Sequence, residues 1–254
     1  FDICYHRSLL NANNVALAQG SDAVCIFVND TADAGTIRQL AGMGVKLIAL
    51  RCAGFNNVDL NAAARYGIPV VRVPAYSPHA VAEHAVALML ALNRKIHRAY
   101  WRTRDGNFSL HGLMGFDMYG KTAGIVGTGR IARELIRILK GFGMEVVAND
   151  LFPDPQYAAE AGIAYVPLDE LYARADVITL HCNLTPENTG MINKNSIAKM
   201  KDGVILINNA RGQLIDEQNV ADALNAGKIA AAGLDVVYTE PIRVDNPLLK
   251  AKNC

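Results

Sequence analysis

Short apolar runs alternate with amphipathic segments along the whole chain. Runs rich in β-branched residues predict buried strands, and apolar residues at helical spacing predict helices. The predicted strands are 1–5, 23–28, 45–50, 69–73, 122–126, 145–149, 164–166, 177–181, 204–208 and 231–234. The predicted helices are 8–19, 33–42, 59–66, 133–140, 155–161, 168–174, 194–200 and 216–226, with a further long helix that begins near residue 77. This alternation is typical of parallel sheets that carry helices on both faces.

The pattern divides into two parts, and we expect domains at 1–76 and 77–254. Ser77 is a candidate N-cap and Pro78 a candidate first-turn residue of the long helix, which we expect to link the domains. Residues 104–120 interrupt the pattern with an irregular segment that is rich in large apolar side chains. Such a segment needs a surface to cover, and a partner subunit and the chain's own domain are the two alternatives.

Composition excludes several classes of protein. The 254 residues are 51% hydrophobic and 19% charged with a formal net charge of +1, which favours a globular protein over a nucleic-acid or membrane-surface binder. The apolar stretch 80–92 contains Glu83 and His84, so no membrane span is expected. The five cysteines form no C-x-x-C pair, which is typical of reduced thiols in a cytoplasmic protein.

A glycine-rich turn follows the predicted strand 122–126. Gly127 permits a tight turn, Gly129 lets a pyrophosphate approach bare backbone, and Ala132 lets the next helix pack closely on the strand. The start of that helix offers unpaired N–H groups and a positive dipole end to phosphates. The spacing therefore predicts a dinucleotide-binding unit.

An acidic residue follows the next predicted strand. Asp150 lies 21 residues beyond Gly129, where a carboxylate can accept hydrogen bonds from ribose hydroxyls. No basic residue stands at Leu151 or Phe152 to compensate the charge of a 2′-phosphate. A glycine turn alone is weak evidence, but the strand, helix, second strand and terminal acid are all present. The sequence therefore predicts NAD, in preference to NADP, as the cofactor.

Four further stretches resemble one enzyme family, the NAD-dependent dehydrogenases specific for D-2-hydroxy acids. Residues 51–59 are similar to the family's substrate-carboxylate loop, and residues 76–84 to its hinge and linking helix. Residues 102–122 resemble bacterial D-lactate dehydrogenases, whereas residues 227–249 are more similar to the glycerate dehydrogenase branch. The resemblance implies an α/β fold of two doubly wound parallel-sheet domains, a flavodoxin-like substrate domain and a Rossmann NAD-binding domain.

The family uses an arginine, a glutamate and a histidine. Arg211 matches the arginine motif, and its planar, always charged guanidinium would hold the substrate carboxylate and polarise the keto oxygen. Glu240, which precedes Pro241, matches the glutamate that raises the pKa of the acid–base histidine. The resemblance places that histidine in a segment beyond Cys254, and we expect the sequence to be a fragment that lacks it. None of the six histidines present is given its role.

The resemblance also implies contacts to substrate and cofactor. Ala53 and Gly54 would present backbone N–H groups to the substrate, while Tyr76 would either close over a small side chain or pack the hinge. Further cofactor contacts carried over by motif are Arg130, Ile131, His181, Cys182, Asn188, Asn209, Ala210 and Asp235. No histidine pair has metal-ligand spacing with a third ligand, so no metal is expected.

The implied reaction is the NAD-dependent reduction of a small 2-keto acid to a D-2-hydroxy acid. Pyruvate and D-lactate are the preferred pair, and hydroxypyruvate or glyoxylate reduction is the alternative. An alternative of another class is an NAD-sensing scaffold that resembles the C-terminal-binding-protein corepressors. We expect a homodimer, with no nucleic acid or membrane as a partner.

Overall fold

A parallel β-sheet lies at the centre of each of two structural units. The computed structural model describes residues 2–254, and the first unit ends at Tyr76 while the second begins at Ser77. In the first unit the strands β1 (Ala23–Ile26), β2 (Leu47–Leu50) and β3 (Val70–Arg72) pair in that order. The helices α1 (Ala34–Gly42) and α2 (Leu60–Arg65) connect them.

The two helices of the first unit begin at acidic caps. The Asp33 carboxylate accepts a hydrogen bond from Thr36 N at 2.8 Å, and Asp59 accepts one from Ala62 N at 2.9 Å. These caps satisfy backbone donors that have no partner inside the helix. They fix where each helix begins after its strand.

Two predictions for the start of the chain are wrong. Residues 2–5 are exposed and form no strand, while Phe1 lies outside the described residues. The helix predicted at 8–19 is reduced to a 3₁₀ turn, Val15–Ala18. Asparagine side chains compete for the backbone here: Asn11 Oδ1 accepts from Asn13 N, and Asn14 Oδ1 accepts from Asn11 N, both at 2.9 Å.

The second unit contains a six-stranded sheet in which every pair is parallel. Its strands are β4 (Thr122–Val126), β5 (Glu145–Asn149), β6 (Ala164–Tyr165), β7 (Val177–Leu180), β8 (Val204–Asn208) and β9 (Ile229–Leu234). They lie in the order β6-β5-β4-β7-β8-β9, so the direction of winding reverses between β4 and β7. This is the doubly wound Rossmann order, and it confirms the predicted fold class. A ligand crevice is expected at the carboxyl ends of β4 and β7.

Helices cover both faces of this sheet. The helices of this unit are α3 (Pro78–Arg94), α4 (Ile96–Arg104), α5 (Arg130–Gly141), α6 (Pro155–Ala161), α7 (Leu168–Arg174), α8 (Lys194–Lys199) and α9 (Glu217–Ala226). Helix α4 has no buried residue and contacts α3 rather than the sheet. Buried residues of α3 and α5 form one core, and those of α7, α8 and α9 form a second. None of the helices in residues 2–254 has the length and apolarity that crossing a bilayer requires.

The predicted long helix is interrupted. Ser77 Oγ caps α3 by accepting from Ala80 N at 3.1 Å, as expected, but Lys95 adopts a left-handed conformation with φ +51° and separates α3 from α4. The Lys95 ammonium donates to the Met114 carbonyl, so the irregular segment after α4 contacts the end of α3. Asn93, which is buried, fixes the same segment with two hydrogen bonds of 2.8 Å to the Phe116 backbone.

Candidate functional site

The turn after β4 has the shape that its glycines require. Gly127 has φ +89°, and a Cβ at this position would lie 2.7 Å from Cys182 N, so only glycine fits. Its N–H donates to Asn149 O at 2.8 Å. The turn is therefore held between the ends of β5 and β7.

Gly129 stands in the opposite situation. Its φ of −68° is open to any residue, and a Cβ here would meet no atom of the described residues within 4 Å. It precedes α5, whose N-terminus has no side-chain cap, and Ala132 in the first turn is fully buried against the sheet. The predicted contact Arg130 is exposed and Ile131 is partly buried. Bare backbone, uncapped N–H groups and open space together fit a pyrophosphate group.

Asp150 is joined to the glycine turn by hydrogen bonds. Its Oδ2 accepts from Thr128 N at 2.6 Å and from Thr128 Oγ1 at 2.8 Å, and its Oδ1 accepts from Phe152 N at 2.9 Å. Burial raises the pKa of this carboxyl, but the hydrogen bonds from Phe152 and Thr128 outweigh burial and the pKa is lowered. Asp150 is therefore an ionised acceptor at the carboxyl end of β5.

Two residues that the sequence analysis missed lie beside this acid. Tyr165 OH lies 2.8 Å from Thr128 Oγ1, and Arg133 Nε donates to Thr128 O at 3.2 Å. The Arg133 guanidinium also donates to Asp154 Oδ2 at 2.8 Å and lies 4.1 Å from the centre of the Tyr157 ring. No cation follows Asp150 directly in the sequence, but the Arg133 guanidinium on α5 lies beside the same turn. Its position four residues after Gly129 was the available signal.

His181 follows β7 directly and is held in its neutral form. Its Nε2 lies 2.9 Å from the hydroxyl of Thr179, which is fully buried. Burial lowers the pKa of His181 to about 4. The next residue, Cys182, has its pKa raised to about 11 by burial, so it is a thiol and not a thiolate at neutral pH.

Asn188 closes the loop that follows Cys182. Its Oδ1 accepts from Thr185 N at 2.8 Å, and its Nδ2 donates to Asn183 O at 2.7 Å. The same amide lies 3.8 Å from Cys182 Sγ. Asn188 therefore shapes the edge of the crevice beside Cys182.

The predicted arginine motif lies at the carboxyl end of β8. Asn208 is fully buried; its Nδ2 donates to Arg211 O at 2.9 Å and its Oδ1 accepts from Ala210 N at 3.1 Å. Arg211 NH1 donates to Ala210 O at 2.6 Å. A Cβ at Gly212 would lie 2.0 Å from Val237 O, so the arginine motif packs directly on the segment that leads to Glu240. This contact keeps the two motifs together.

Asn209 contributes an acceptor without a partner. Its Nδ2 donates to Val81 O at 3.0 Å, which ties the end of β8 to the first turns of α3. Its Oδ1 is buried and has no hydrogen-bond partner within residues 2–254. A buried unsatisfied oxygen is costly, and it is the group expected where a ligand donor completes the site.

Glu217, which the sequence analysis also missed, holds the segment around Glu240. Its two carboxylate oxygens accept from Tyr238 N at 2.7 Å and from Asn246 Nδ2 at 2.8 Å. Glu240 itself is exposed, and its Oε1 accepts from Val237 N at 3.4 Å. An acid on the first turn of α9 thus anchors the loop that carries the predicted catalytic acid.

Asp235 follows β9 and pairs with a histidine of α3. Its Oδ1 lies 3.3 Å from His84 Nε2, and both side chains are about half exposed, at 50% and 49%. Its backbone N–H donates to Asn208 O at 2.9 Å, beside the arginine motif.

The predicted substrate loop belongs to the first unit. Neither the Ala53 nor the Gly54 N–H donates to an acceptor in residues 2–254. Their carbonyls are occupied instead, by Arg72 NH1 at 2.9 Å and by Cys52 Sγ at 3.3 Å. Tyr76, at the end of this unit, is 70% exposed. The loop therefore offers backbone donors to a ligand.

Known proteins match this chain over most of its length. Residues 86–254 match the family model of the D-isomer specific 2-hydroxyacid dehydrogenase, NAD binding domain. A 2-hydroxyacid dehydrogenase homolog of Haemophilus influenzae is 57% identical over 94% of this chain and 72% of that protein. The D-lactate dehydrogenase of Escherichia coli is 53% identical over 94% of this chain and 73% of that protein. The chain belongs to this family.

A solved structure extends the comparison to the fold of the dehydrogenase. The structure described as the pyruvate reductase of Chlamydomonas reinhardtii matches with a TM-score of 0.83 and 56% identity, over 91% of this chain and 68% of that one. The chain is an NAD-dependent D-2-hydroxyacid dehydrogenase. These similarities favour the enzyme hypothesis over the hypothesis of a corepressor-like scaffold.

The residues of the dehydrogenase fit NAD. The open backbone at Gly129, the ionised Asp150 and the unpaired Asn209 oxygen supply a phosphate seat and two acceptors along the carboxyl ends of the sheet. Within residues 2–254, no three His, Cys, Asp or Glu side chains are grouped so that they could hold a metal ion.

Proposed function

We propose that this dehydrogenase reduces pyruvate to D-lactate. The observation that carries the proposal is the arginine motif at the end of β8, which packs on the segment leading to Glu240 through the contact between Gly212 and Val237. The choice of pyruvate is supported by the names of two relatives, a D-lactate dehydrogenase and a pyruvate reductase. The glycerate-dehydrogenase resemblance of residues 227–249 supports hydroxypyruvate as the second candidate.

The cofactor half of the proposal assigns a role to each predicted contact. Gly127 shapes the turn and Gly129 receives the pyrophosphate, with the backbone of the first α5 turn donating to it. Asp150 accepts from the ribose hydroxyls of the adenosine end. The remaining contacts to the nucleotide are Arg130, Ile131, His181, Cys182, Asn188, Asn209, Ala210 and Asp235.

The substrate half of the proposal uses Arg211 and the first-unit loop. Arg211 pairs with the substrate carboxylate and polarises the keto oxygen, because a guanidinium holds a carboxylate through two parallel hydrogen bonds. The family resemblance assigns carboxylate-binding N–H groups to Ala53 and Gly54, and assigns Tyr76 to cover a small substrate side chain. Bound NADH supplies the hydride that the keto carbon accepts.

The proton needs a separate donor, and His181 does not fill that role. With a pKa of about 4 its ring is neutral at pH 7, so it has no imidazolium proton to donate. The family resemblance assigns proton donation to an acid–base histidine. Glu240 would keep that histidine protonated, since a nearby carboxylate favours an imidazolium.

Steady-state NADH oxidation by the full-length protein tests the proposal. We expect kcat/KM for pyruvate to exceed those for hydroxypyruvate and glyoxylate by about tenfold or more. A preference for hydroxypyruvate would replace the substrate and keep the reaction. Absence of turnover with all three keto acids would overturn the proposal.

We also propose that the dehydrogenase is a cytoplasmic homodimer. Large apolar side chains on α4 and the segment after it are exposed: Tyr100, Trp101, Phe108, Leu110 and Met114. A surface of this kind is typical of a subunit interface. All five cysteines are free, in keeping with a reducing compartment.

Sedimentation of the wild type and of Trp101→Glu tests the dimer. We expect a dimer for the wild type and a monomer for the variant, because a buried unpaired charge opposes association. Val244→Glu changes another highly exposed apolar residue and should leave the dimer intact. A monomeric wild type would overturn the assignment, and fractionation of source cells tests the compartment.

A further inference from the structure

Three side chains form one hydrogen-bonded chain beside the glycine turn. Tyr165 OH lies 2.8 Å from Thr128 Oγ1, and Thr128 Oγ1 lies 2.8 Å from Asp150 Oδ2. An ionised carboxylate only accepts, so the Thr128 hydroxyl must donate its single proton to Asp150. The same hydroxyl then accepts from Tyr165. The direction of every bond in the chain is therefore determined.

The three groups come from three neighbouring strand ends. Thr128 belongs to the turn after β4 and is only 4% exposed, Asp150 follows β5, and Tyr165 ends β6. Tyr165 is registered with Ala148, two residues before the acid. Arg133 approaches the same turn and donates to the Thr128 carbonyl at 3.2 Å. The regular pairing of the strands thus sets the distances between the three hydrogen-bonded side chains.

The two carboxylate oxygens of Asp150 differ in the hydrogen bonds that they accept. Oδ2 receives both the N–H and the hydroxyl of Thr128, which occupies its two acceptor directions. Within residues 2–254, Oδ1 receives only the Phe152 N–H and retains capacity for one more donor. One oxygen is fixed to the protein, and the other remains able to accept from a ligand.

We propose that Thr128 and Tyr165 are positioning residues that orient the Asp150 carboxylate before the cofactor arrives and thereby set the preference for NAD over NADP. The inference rests on the proposed role of Asp150 as the ribose acceptor. A fixed carboxylate accepts from the 2′-hydroxyl of NADH without reorganisation, and it repels a 2′-phosphate held at the same distance. A carboxylate that is free to rotate does both less well.

Removing the Thr128 hydroxyl tests this directly. Thr128→Val keeps the shape and the backbone N–H but deletes the hydroxyl donor, whereas Thr128→Ser retains it. Fluorescence titration of the full chain with NADH and NADPH gives both dissociation constants. For Thr128→Val we expect about tenfold weaker NADH binding, which corresponds to about 1.4 kcal/mol, and a smaller ratio between the two affinities. Thr128→Ser should bind as the wild type does.

Tyr165→Phe tests the second link without touching the buried threonine. It leaves the Thr128 hydroxyl without its incoming donor, so we expect a smaller loss of NADH affinity in the same direction. The melting temperature of each unliganded variant is measured in parallel, because a purely structural role would lower it and leave the NADH-to-NADPH ratio unchanged. That result in both variants would overturn the proposal.

The Asp150→Ala background separates this inference from the proposed function. If Asp150 is the ribose acceptor, its loss weakens NADH binding, and adding Thr128→Val then changes the affinity ratio no further. If Asp150→Ala leaves NADH affinity unchanged, the assignment of Asp150 itself fails. If Asp150→Ala weakens binding but Thr128→Val and Tyr165→Phe both bind like the wild type, only the positioning role fails.

Discussion

The His181 Nε2 atom lies 2.9 Å from the hydroxyl of Thr179, two residues earlier on β7. Thr179 is fully buried in the sheet, so the imidazole is anchored to the interior at the carboxyl edge of the strands. Burial lowers the pKa of His181 to about 4, so the ring is neutral at physiological pH. The carboxyl end of β7 is therefore followed by an uncharged imidazole and then a neutral thiol.

This relationship predicts how stability depends on pH. The pKa of His181 falls from 6.5 in the unfolded chain to about 4 in the folded one, so the unfolded state binds more protons below pH 6.5. Above pH 6.5 this difference in pKa takes nothing from the free energy of unfolding. As the pH falls toward 4, the free energy of unfolding decreases by up to about 3 kcal/mol. Urea unfolding of wild type and His181→Gln between pH 7.5 and 4 checks this. An equal loss in both proteins would contradict it.

The two glycines of the turn predict opposite phenotypes. Gly127→Ala forces a Cβ to 2.7 Å from Cys182 N at a positive φ, and we expect a loss of about 1–3 kcal/mol in the free energy of unfolding. Gly129→Ala places its methyl more than 4 Å from any non-neighbouring atom of residues 2–254 and should unfold like the wild type, yet the methyl occupies the space proposed for the pyrophosphate. Thermal unfolding and NADH titration of both variants measure the difference. Wild-type NADH affinity in Gly129→Ala would refute the phosphate seat.

Arg211→Ala should lower kcat/KM for pyruvate. The decrease should correspond to a loss of about 2–5 kcal/mol in transition-state stabilisation, because the substrate carboxylate loses its proposed charged partner. Arg211→Lys should recover only part of this, because an ammonium lacks the planar fork. Arg174→Ala removes an exposed arginine that pairs with Glu170 on α7 and serves as the matched control. A kinetic effect of Arg211→Ala no larger than that control would exclude the proposed role.

Glu217→Gln should loosen the segment 237–246. Asn246 Oδ1 already accepts from Leu248 N, so its Nδ2 must face residue 217. A glutamine has one oxygen for the two donors Asn246 Nδ2 and Tyr238 N, so its NH₂ must face one of them and that hydrogen bond is lost. Hydrogen exchange in this segment should accelerate, and the protein should be about 1–3 kcal/mol less stable. Glu160→Gln changes an acid on α6 as the control. Unchanged exchange in 237–246 would show that Glu217 does not anchor the loop.

The second unit was largely predictable because its central strands β4, β7 and β8 are buried at every residue and form continuous apolar runs in the sequence. The strands β4, β5 and β8 have the bounds that the sequence predicts. The helix prediction at 8–19 was wrong for a local reason, because asparagine side chains form hydrogen bonds with the backbone there. Lys95, where the long helix breaks, donates to the Met114 carbonyl 19 residues away, and no local sequence pattern indicates such a contact.

The candidate site shows the same division. Gly127, Gly129 and Asp150 carry their signal in short spacing, so the sequence alone names them as candidates. Thr128 and Tyr165 become partners only because β6 pairs with β5, which brings together residues 37 apart. Their role appears only after the sheet is assembled.

The contact between Gly212 and Val237 constrains any redesign of substrate range. A side chain at 212 would collide with the carbonyl of Val237 at 2.0 Å, so even alanine must push two loops apart. Those loops carry the proposed carboxylate-binding guanidinium and the acid that serves the proton donor. Mutagenesis libraries aimed at larger keto acids should therefore leave this glycine untouched.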